Sequence, residues 1–262
     1  MFYCSSEVKV GWGGELGPQA ELWIGDNSFV GEQAMLNPSR KITIEDEVAI
    51  SAGSKLYTHQ FWQSVLDGYN ASHAPITVRS NVQIGANVVV LPGVTIGSGA
   101  TITANSTVTF NVKESHLMAG VPAVSIGKGA YPKKLSVEEK IHLVKKLINE
   151  FIKEQGYENY KDTADSEPVE WKGKKAKLLY LPVLDKAWLE YEADVRTLVI
   201  TSSDLAQEFP VPGNITIFYL GNKRIAGKED EVSDLLREFL RKRGIRFVPM
   251  YWRYRYKDGV CL

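Results

Sequence analysis

The chain has few cysteines, no long apolar run and no excess of charge of either sign. Its two cysteines, Cys4 and Cys261, are too few for a disulfide framework and fit a reducing compartment. No stretch approaches the ~18 consecutive apolar residues of a membrane span, and the first residues show no basic segment followed by an apolar one. Lysine plus arginine equals aspartate plus glutamate, at 31 each, which favours neither nucleic acid nor an anionic membrane as the main partner. These absences predict a soluble, cytoplasmic protein.

What the sequence does contain is a six-residue repeat in its first half. Units begin at Ile24, resume at Ile44 after a two-residue insertion, and run without interruption from Val78 to Lys113. The first position of every unit is aliphatic, the fifth is small or β-branched in most units, and Gly, Asn, Asp and Pro are common between them. The twelve first positions are Ile24, Val30, Leu36, Ile44, Ile50, Leu56, Val78, Ile84, Val90, Ile96, Ile102 and Val108.

A period of six fits neither the 3.6-residue period of a helix nor the simple alternation of a strand. It indicates a short strand followed by a tight corner, in which glycine and asparagine supply the backbone angles. The aliphatic first position then points inward, and each coil covers the apolar face of its neighbour. The alternative, an antiparallel barrel with glycine-rich turns, gives no reason for so strict a register.

One segment of the repeat resembles a known family. The sequence PITVRSNVQIGANVVVLPGVTIGSGATITANSTV, followed by MAGVPA at residues 118–123, is similar to the hexapeptide-repeat acetyltransferases, and within them to the maltose, galactoside and polysaccharide O-acetyltransferase group. The resemblance covers residues 22–128. It implies a mostly-β fold, a left-handed parallel β-helix of three-sided coils. It also implies a homotrimer that binds acetyl-CoA in the groove between subunits.

The repeat is interrupted by a loop at residues 57–77, which contains His59 and His73. Repeat proteins often carry function on such an insertion. In the resembled group a catalytic histidine lies at the root of this loop, and His59 in YTHQF matches that place. An imidazole with a pKa near ~6.5 can take a proton from a hydroxyl or amine at neutral pH. His59 is therefore the predicted general base, the alternatives being that it is a surface histidine of the loop or that His73 is the base.

Three further residues of the loop are predicted to bind the acceptor: Trp62, Tyr69 and His73. The loop aromatics can stack on a sugar ring or pack against a neighbouring subunit. A metal site is the other reading of the two loop histidines, but only a carboxylate or His116 could complete it, so no metal is expected. His142 falls on a helix.

The resemblance also implies which residues hold acetyl-CoA. Corner residues of the resembled enzymes contact the coenzyme through their backbone, and the matching positions are Gly85, Ala86, Ala104 and Thr109. The family commonly has a lysine after that threonine, where this chain has Phe110, so Lys113 and Lys128 are predicted to contact the phosphates. The alternative is that the corner residues only shape the coil.

The second half of the chain has a different pattern. Domain boundaries are predicted at 1–130 for the β-helix, 131–156 for an amphipathic helix capped by Ser136 and Glu139, 157–175 for a linker, and 176–262 for a small α/β or α+β domain. The apolar segments LLYLPVL, TLVITS, ITIFYL and IRFVPM predict strands, and EDEVSDLLREFLRKRG predicts a helix ended by Gly244.

Together these features predict an acetyl-CoA-dependent O- or N-acetyltransferase acting on a sugar, nucleotide sugar or glycan precursor. Two alternatives remain at this stage. The acceptor could be a non-sugar, such as an antibiotic or an amino acid, or the coils could be a non-catalytic trimerisation scaffold for the C-terminal domain.

Overall fold

The computed structural model describes residues 2–11, 17–61, 63–129, 131–156, 169–171, 174–182, 184, 195–203, 211 and 213–249. The chain divides into two units, Met1–Lys134 and Leu135–Leu262. Within the described residues, no helix combines the length and the apolar character needed to cross a membrane.

Three sheets form the sides of the first unit. The first sheet contains, in spatial order, β1 (Tyr3–Cys4), β4 (Phe29–Val30), β7 (Ala49–Ile50), β12 (Gln83–Ile84), β15 (Thr101–Ile102), β17 (His116–Ala119) and β18 (Val124–Lys128). The second contains β2 (Lys9–Val10), β5 (Met35–Asn37), β8 (Lys55–Tyr57), β13 (Val89–Val90) and β16 (Thr107–Val108). The third contains β3 (Leu22–Ile24), β6 (Ile42–Ile44), β11 (Ile76–Val78) and β14 (Thr95–Ile96). Neighbouring strands are parallel except for β17 and β18, which are antiparallel.

The aliphatic first positions of the repeat form three columns inside this unit. The first column runs through Val30, Ile50, Ile84 and Ile102. The second runs through Leu36, Leu56, Val90 and Val108. The third runs through Ile24, Ile44, Val78 and Ile96. Apart from Ile24, which is partly buried against the same core, every one of these side chains is at most 1% exposed. Burial of each stabilises the fold by roughly 1.5–3 kcal/mol.

The corners between strands also follow the repeat. The fourth position carries a positive φ in nine of the twelve units, for example 56° at Asn87 and 59° at Asn105, a conformation that asparagine tolerates better than most residues. Where the fifth position is serine, its hydroxyl is buried and joins one coil to the next. Ser54 Oγ donates to the Gly85 carbonyl at 2.9 Å and accepts from the Val88 amide at 3.3 Å. The corners are therefore built from local turns and from hydrogen bonds between successive coils.

The predicted fold class is confirmed for this unit, which is a left-handed parallel β-helix. The parallel register of its sheets excludes the antiparallel barrel. The loop at residues 57–77 leaves the coils through the antiparallel pair β9 (His59–Gln60) and β10 (Ser72–His73), with a short 3-10 helix at Val65–Asp67 between them.

The second unit is a mixed six-stranded sheet with two helices. Its helices are α1 (Val137–Glu154) and α2 (Glu231–Arg241). Its strands, in spatial order, are β19 (Val169–Trp171), β20 (Lys174–Leu181), β21 (Arg196–Thr201), β22 (Ile215–Tyr219), β23 (Arg224–Gly227) and β24 (Val248–Pro249). Strands β20, β21 and β22 are parallel. Strand β19 is antiparallel to β20, and β23 is antiparallel to β22 but parallel to β24.

Helix α1 belongs to the core of this second unit. Its buried Leu147, Ile148 and Phe151 share one apolar cluster with the sheet and with α2. The predicted capping box is present, because the Ser136 hydroxyl accepts from the Glu139 amide and the Glu139 carboxylate accepts from the Ser136 amide. The amphipathic stripe seen in the sequence is therefore the face that packs on the C-terminal sheet.

The sequence predicts β20, β21, β22, β24 and α2 but not the short strands β19 and β23. Helix α2 ends at Arg241, three residues before Gly244, which has a φ of 81°. Residues 169–171 and 174–175, which the sequence assigns to a linker, lie in β19 and β20, and the rest of that predicted linker lies outside the described residues.

Candidate active site

The residue before His59 is fixed to the preceding coil. Thr58 is fully buried, and its hydroxyl donates to the Asn37 carbonyl at 2.8 Å and accepts from the Arg40 amide at 2.9 Å. On the other side, the Ala74 amide donates to the Thr58 carbonyl at 3.0 Å, which closes the root of the loop. The backbone at His59 is therefore held in place, at the point where the second sheet ends and the loop begins.

A serine of the preceding coil contacts the imidazole of His59. Ser39 Oγ lies 2.9 Å from His59 Nδ1, and both residues are half-buried. When Nδ1 carries the proton it donates to the serine oxygen, and the lone pair of the ring lies on Nε2. The contact fixes the direction of the ring, and in the tautomer with the proton on Nδ1 it is Nε2 that can accept a proton.

Two aromatic rings of the loop root surround the same imidazole. His73 is the cross-strand partner of His59 in the β9–β10 pair, and their ring centroids are 6.1 Å apart with planes inclined by 22°. Phe61 stacks on His73 at 5.1 Å and lies 5.5 Å from His59 at a tilt of 45°. The hairpin thus brings the two histidines together, as their positions at the two ends of the loop suggest.

The surroundings of His59 favour its neutral form. Partial burial of the ring lowers the pKa of His59 below its ordinary value of 6.5, and the nearby charge of His73 lowers that pKa further. A neutral imidazole is the form that can act as a base, so at neutral pH the greater part of His59 is ready to accept a proton.

The other predicted acceptor residues are only partly accounted for. Tyr69 lies in the loop with 57% of its surface exposed, and Trp62 lies outside the described residues. Phe61, which the sequence analysis did not assign to the acceptor, contacts both histidines. Val65 and Leu66 of the loop are also exposed, and 93% of the surface of Leu66 is accessible to solvent.

The predicted coenzyme residues lie on three different corners of the coil. Gly85, Ala86 and Ala104 share the corner between the first and second sheets, where the Asn105 amide donates to the Ala86 carbonyl at 2.8 Å. Thr109 is exposed at the corner between the second and third sheets, the corner that also carries His59. Lys113 lies at the third corner.

Lys128 is exposed at the end of β18, opposite His116 in the neighbouring strand. At Gly85 the neighbouring coil is so close that an added Cβ would lie 2.5 Å from the Ala104 amide nitrogen. Gly85 is therefore required for the packing of the coils, whatever else it contacts.

The remaining histidines are far from a metal-binding arrangement. His116 begins β17, and its Nδ1 lies 2.8 Å from the Glu114 carbonyl oxygen, while His142 is exposed on α1. Among the residues that the structure describes, no group of three or more His, Cys, Asp or Glu side chains is placed to hold a metal ion.

Sequence reasoning missed Ser39, although a signal for it was available. The two-residue insertion lengthens this coil to twenty residues, as the pairing of Leu36 with Leu56 and of Asn37 with Tyr57 shows. A residue twenty positions before His59 therefore lies beside it on the preceding coil. That residue is Ser39.

Comparisons with known proteins agree with the repeat. Residues 75–109 match the family model of the bacterial transferase hexapeptide, described as six repeats. No curated protein matches the chain. The predicted resemblance to hexapeptide-repeat proteins is thus confirmed for this segment.

Several solved structures are similar to the chain. One is a maltose O-acetyltransferase from Clostridium difficile 630, 24% identical over 49% of this chain and 66% of that chain, with a TM-score of 0.43. Another is a hexapeptide-repeat-containing acetyltransferase from Vibrio cholerae O1 biovar eltor complexed with acetyl coenzyme A, 28% identical over 47% and 66%, with a TM-score of 0.41. A third is a galactoside acetyltransferase in complex with coenzyme A, 27% identical over 52% and 72%, with a TM-score of 0.41. This chain thus spans just under two thirds of each of the first two.

Proposed function

We propose, from the premise that this chain carries bacterial transferase hexapeptide repeats, that it transfers an acetyl group from acetyl-CoA to a hydroxyl or amino group of a sugar, nucleotide sugar or glycan precursor. The observation that carries the proposal is the half-buried His59 at the coil-to-loop junction, with Nδ1 bound to Ser39 and Nε2 left to act as a base. Two of the similar acetyltransferases were solved in complex with acetyl coenzyme A or coenzyme A, which supports acetyl-CoA as the donor.

In the proposed reaction, Nε2 of His59 takes the proton of the acceptor as its oxygen or nitrogen attacks the thioester carbonyl carbon. The C–S bond then breaks, and the proton passes from His59 to the sulfur, which leaves as the free thiol of coenzyme A. Positioned general-base catalysis of this kind contributes roughly 100- to 10,000-fold. The two substrates react directly, so no acetylated enzyme is formed.

The distribution of the candidate coenzyme residues supports a homotrimer. Ala86 and Ala104 lie on one corner, Thr109 on a second and Lys113 on a third, so residues of one copy are spread around the coil. A groove between two copies brings one corner of one subunit against a different corner of the next. Acetyl-CoA would then contact residues from both subunits.

Exposed apolar side chains on the first unit also favour assembly. In the loop these are Phe61, Val65, Leu66 and Tyr69, and beyond the last coil they are Val121, Val124 and Ile126. Large patches of exposed apolar side chains mark contact surfaces. We propose that the loop of one copy covers part of the coil of its neighbour.

The loop side chains are the proposed acceptor contacts. Tyr69 and Trp62 would stack on a sugar ring, and His73 would border the bound acceptor beside His59. The presence of only two cysteines supports action in the reducing cytoplasm.

The proposed function is tested by following the release of coenzyme A thiol from acetyl-CoA with a panel of acceptors: sugars, nucleotide sugars, amino acids and antibiotics that contain no sugar. Turnover with a sugar is the expected result, and turnover with an amino acid or antibiotic alone would overturn the sugar assignment. Light scattering on the same sample should give about three times the 29.2 kDa of one chain. A trimer that does not bind acetyl-CoA at millimolar concentration would instead identify the coils as a scaffold.

A further inference from the structure

A crevice lies in the C-terminal unit. It has a volume of about 390 Å³ and opens at the carboxyl ends of the parallel strands β21 and β22, where Ser202 and Leu220 follow the last strand residues. Helix α1 forms one wall, and the residues after α2 form another. Ligands of open α/β sheets bind outside the carboxyl ends of the strands, so the location is that of a ligand site.

The interior of the crevice is apolar. The apolar side chains among its lining residues are Leu143, Val144, Leu147, Leu220 and Ile245. Val144 and Leu147 face the crevice from the same side of α1 that packs on the sheet, and each is only 9% exposed. Such a lining favours a ligand with an apolar body and excludes a free sugar, whose hydroxyl groups would find few partners there.

The rim of the crevice is positively charged. Lys140 from α1 and Lys223 from the β22–β23 turn are both lining residues, and no carboxylate is among the lining residues in the part of the unit that the structure describes. Ser202 adds a hydroxyl group, which lies 2.8 Å from the Tyr180 hydroxyl. Two lysines beside an apolar pocket complement an anionic group on the ligand.

Ionic contacts join the two walls of the crevice, which are α1 and the residues after α2. Arg243 donates to Glu154 at 2.7 Å and lies 3.5 Å from Glu150, so the end of α2 is tied to the end of α1. The same guanidinium lies 3.5 Å above the Phe239 ring. Glu150 and Glu154, two acidic residues of α1, are therefore engaged with Arg243.

We propose that this crevice is a binding site for a small organic anion with an apolar body, such as a carboxylate or sulfonate on an aromatic or aliphatic group. The apolar body would lie on Leu143 and Leu147, and the anionic group would lie between Lys140 and Lys223. The proposal concerns the C-terminal unit alone and stands independently of the acetyl transfer proposed for the coils.

A pair of fluorescent probes tests the site on the full chain. The anionic probe is 8-anilino-1-naphthalenesulfonate, and the uncharged one is N-phenyl-1-naphthylamine, which has the same aromatic body without the sulfonate. Both fluoresce more strongly in an apolar environment. The expected result is saturable binding of the anion, at least about fivefold tighter than that of the neutral probe.

Two variants localise the binding, each with a control on the same helix. Lys140→Glu reverses one charge of the rim and should weaken the anion at least about fivefold while leaving the neutral probe nearly unchanged. Lys145→Glu makes the same change on an exposed lysine outside the lining and should bind as the parent does. Leu143→Trp fills the crevice and should weaken both probes, whereas His142→Trp, at an exposed neighbouring position, should not.

Helicity measured by circular dichroism should be the same in all four variants, because the four positions are exposed on α1. The proposal is overturned if the anion does not bind saturably, if the two probes bind equally well, or if Lys140→Glu and Lys145→Glu have the same effect. An anion affinity that Leu143→Trp leaves unchanged would likewise place the bound probe elsewhere and overturn it.

Discussion

The hydroxyl oxygen of Ser39 lies 2.9 Å from Nδ1 of His59, which follows twenty residues later on the next coil. The contact holds the imidazole by the nitrogen that faces the coil. Ser39 is thus a positioning residue, because it acts on the reaction through His59 and not on the acceptor itself.

Ser39→Ala should lower kcat by on the order of tenfold, less than the loss of the base itself, and should leave KM for acetyl-CoA unchanged. Without the hydroxyl, the ring is free to rotate and to change tautomer. Ser39→Thr keeps a hydroxyl and should restore most of the rate. The control is Ser98→Ala, at a half-buried serine of another corner, which should have parent-like kinetics. Equal kcat for Ser39→Ala and the parent would remove the positioning role.

Removal of the base should have the largest effect on turnover. His59→Ala should lose at least ~100-fold in kcat with nearly unchanged affinity for acetyl-CoA, because the imidazole contacts the moving proton. His59→Asn should be almost as slow, since an amide cannot accept a proton at neutral pH. His73→Ala should stay within ~10-fold of the parent. An inactive His73→Ala together with an active His59→Ala would transfer the role to His73.

The pH dependence of the rate should report the lowered pKa of His59. Protonated His59 cannot act as a base, so kcat/KM should fall on the acid side with a midpoint below 6.5. His73→Asn removes a like charge beside the ring and should raise that midpoint toward 6.5, although burial of the ring remains. The measurement is the pH profile of thiol release by both proteins. A midpoint that moves downward in His73→Asn would contradict this account.

The inward column of the first sheet can be tested at Ile84, which is fully buried between Ile50 and Ile102. Ile84→Asp places a carboxylate without a partner in the core and should abolish soluble expression. Ile84→Val removes one methylene and should lower the free energy of unfolding by ~0.5–1.5 kcal/mol in a urea titration. Gln83→Asp, on the exposed side of the same strand, is the matched control and should express normally. Stable Ile84→Asp protein would show that the side chain does not face inward.

Asp230 should stabilise the second unit in a pH-dependent way. Its carboxylate accepts from Arg196 Nε at 2.7 Å and caps α2, and these contacts hold the pKa of Asp230 at about 2, below its usual 3.8. Asp230→Asn should lower the free energy of unfolding at pH 7 by ~1.5–3 kcal/mol. A group with a lowered folded pKa stabilises fully above its unfolded pKa, so the difference should shrink as the pH falls from 3.8 toward 2.

The control for that experiment is Asp234→Asn, which removes an exposed partner of Arg237 on the same helix. Exposed ion pairs contribute ~0–1 kcal/mol, so this variant should unfold nearly as the parent does. A pH-independent difference between the parent and Asp230→Asn would show that the charge of Asp230 is not what stabilises the unit.

Much of the first unit is determined by the sequence alone. The aliphatic first positions and the fourth-position asparagines and glycines are local signals. Each predicts which side chain faces inward or where the backbone turns, and the prediction does not require knowledge of the neighbouring coil. The same holds for the capping box of Ser136 and Glu139, whose two hydrogen bonds lie within one helical turn.

Contacts between distant segments required the tertiary structure. Ser39 contacts His59 because the two inserted residues set the length of one coil. Arg196 contacts Asp230 because β23 runs antiparallel to β22 and returns the chain to the end of the sheet where β21 begins. The stripe on α1 predicts a buried face but does not say which surface covers it. That surface is the C-terminal sheet, where Leu198 and Phe218 belong to the same apolar cluster as the buried side chains of α1. Periodicity thus determines which way a side chain faces, whereas its partner is decided by how the whole chain packs.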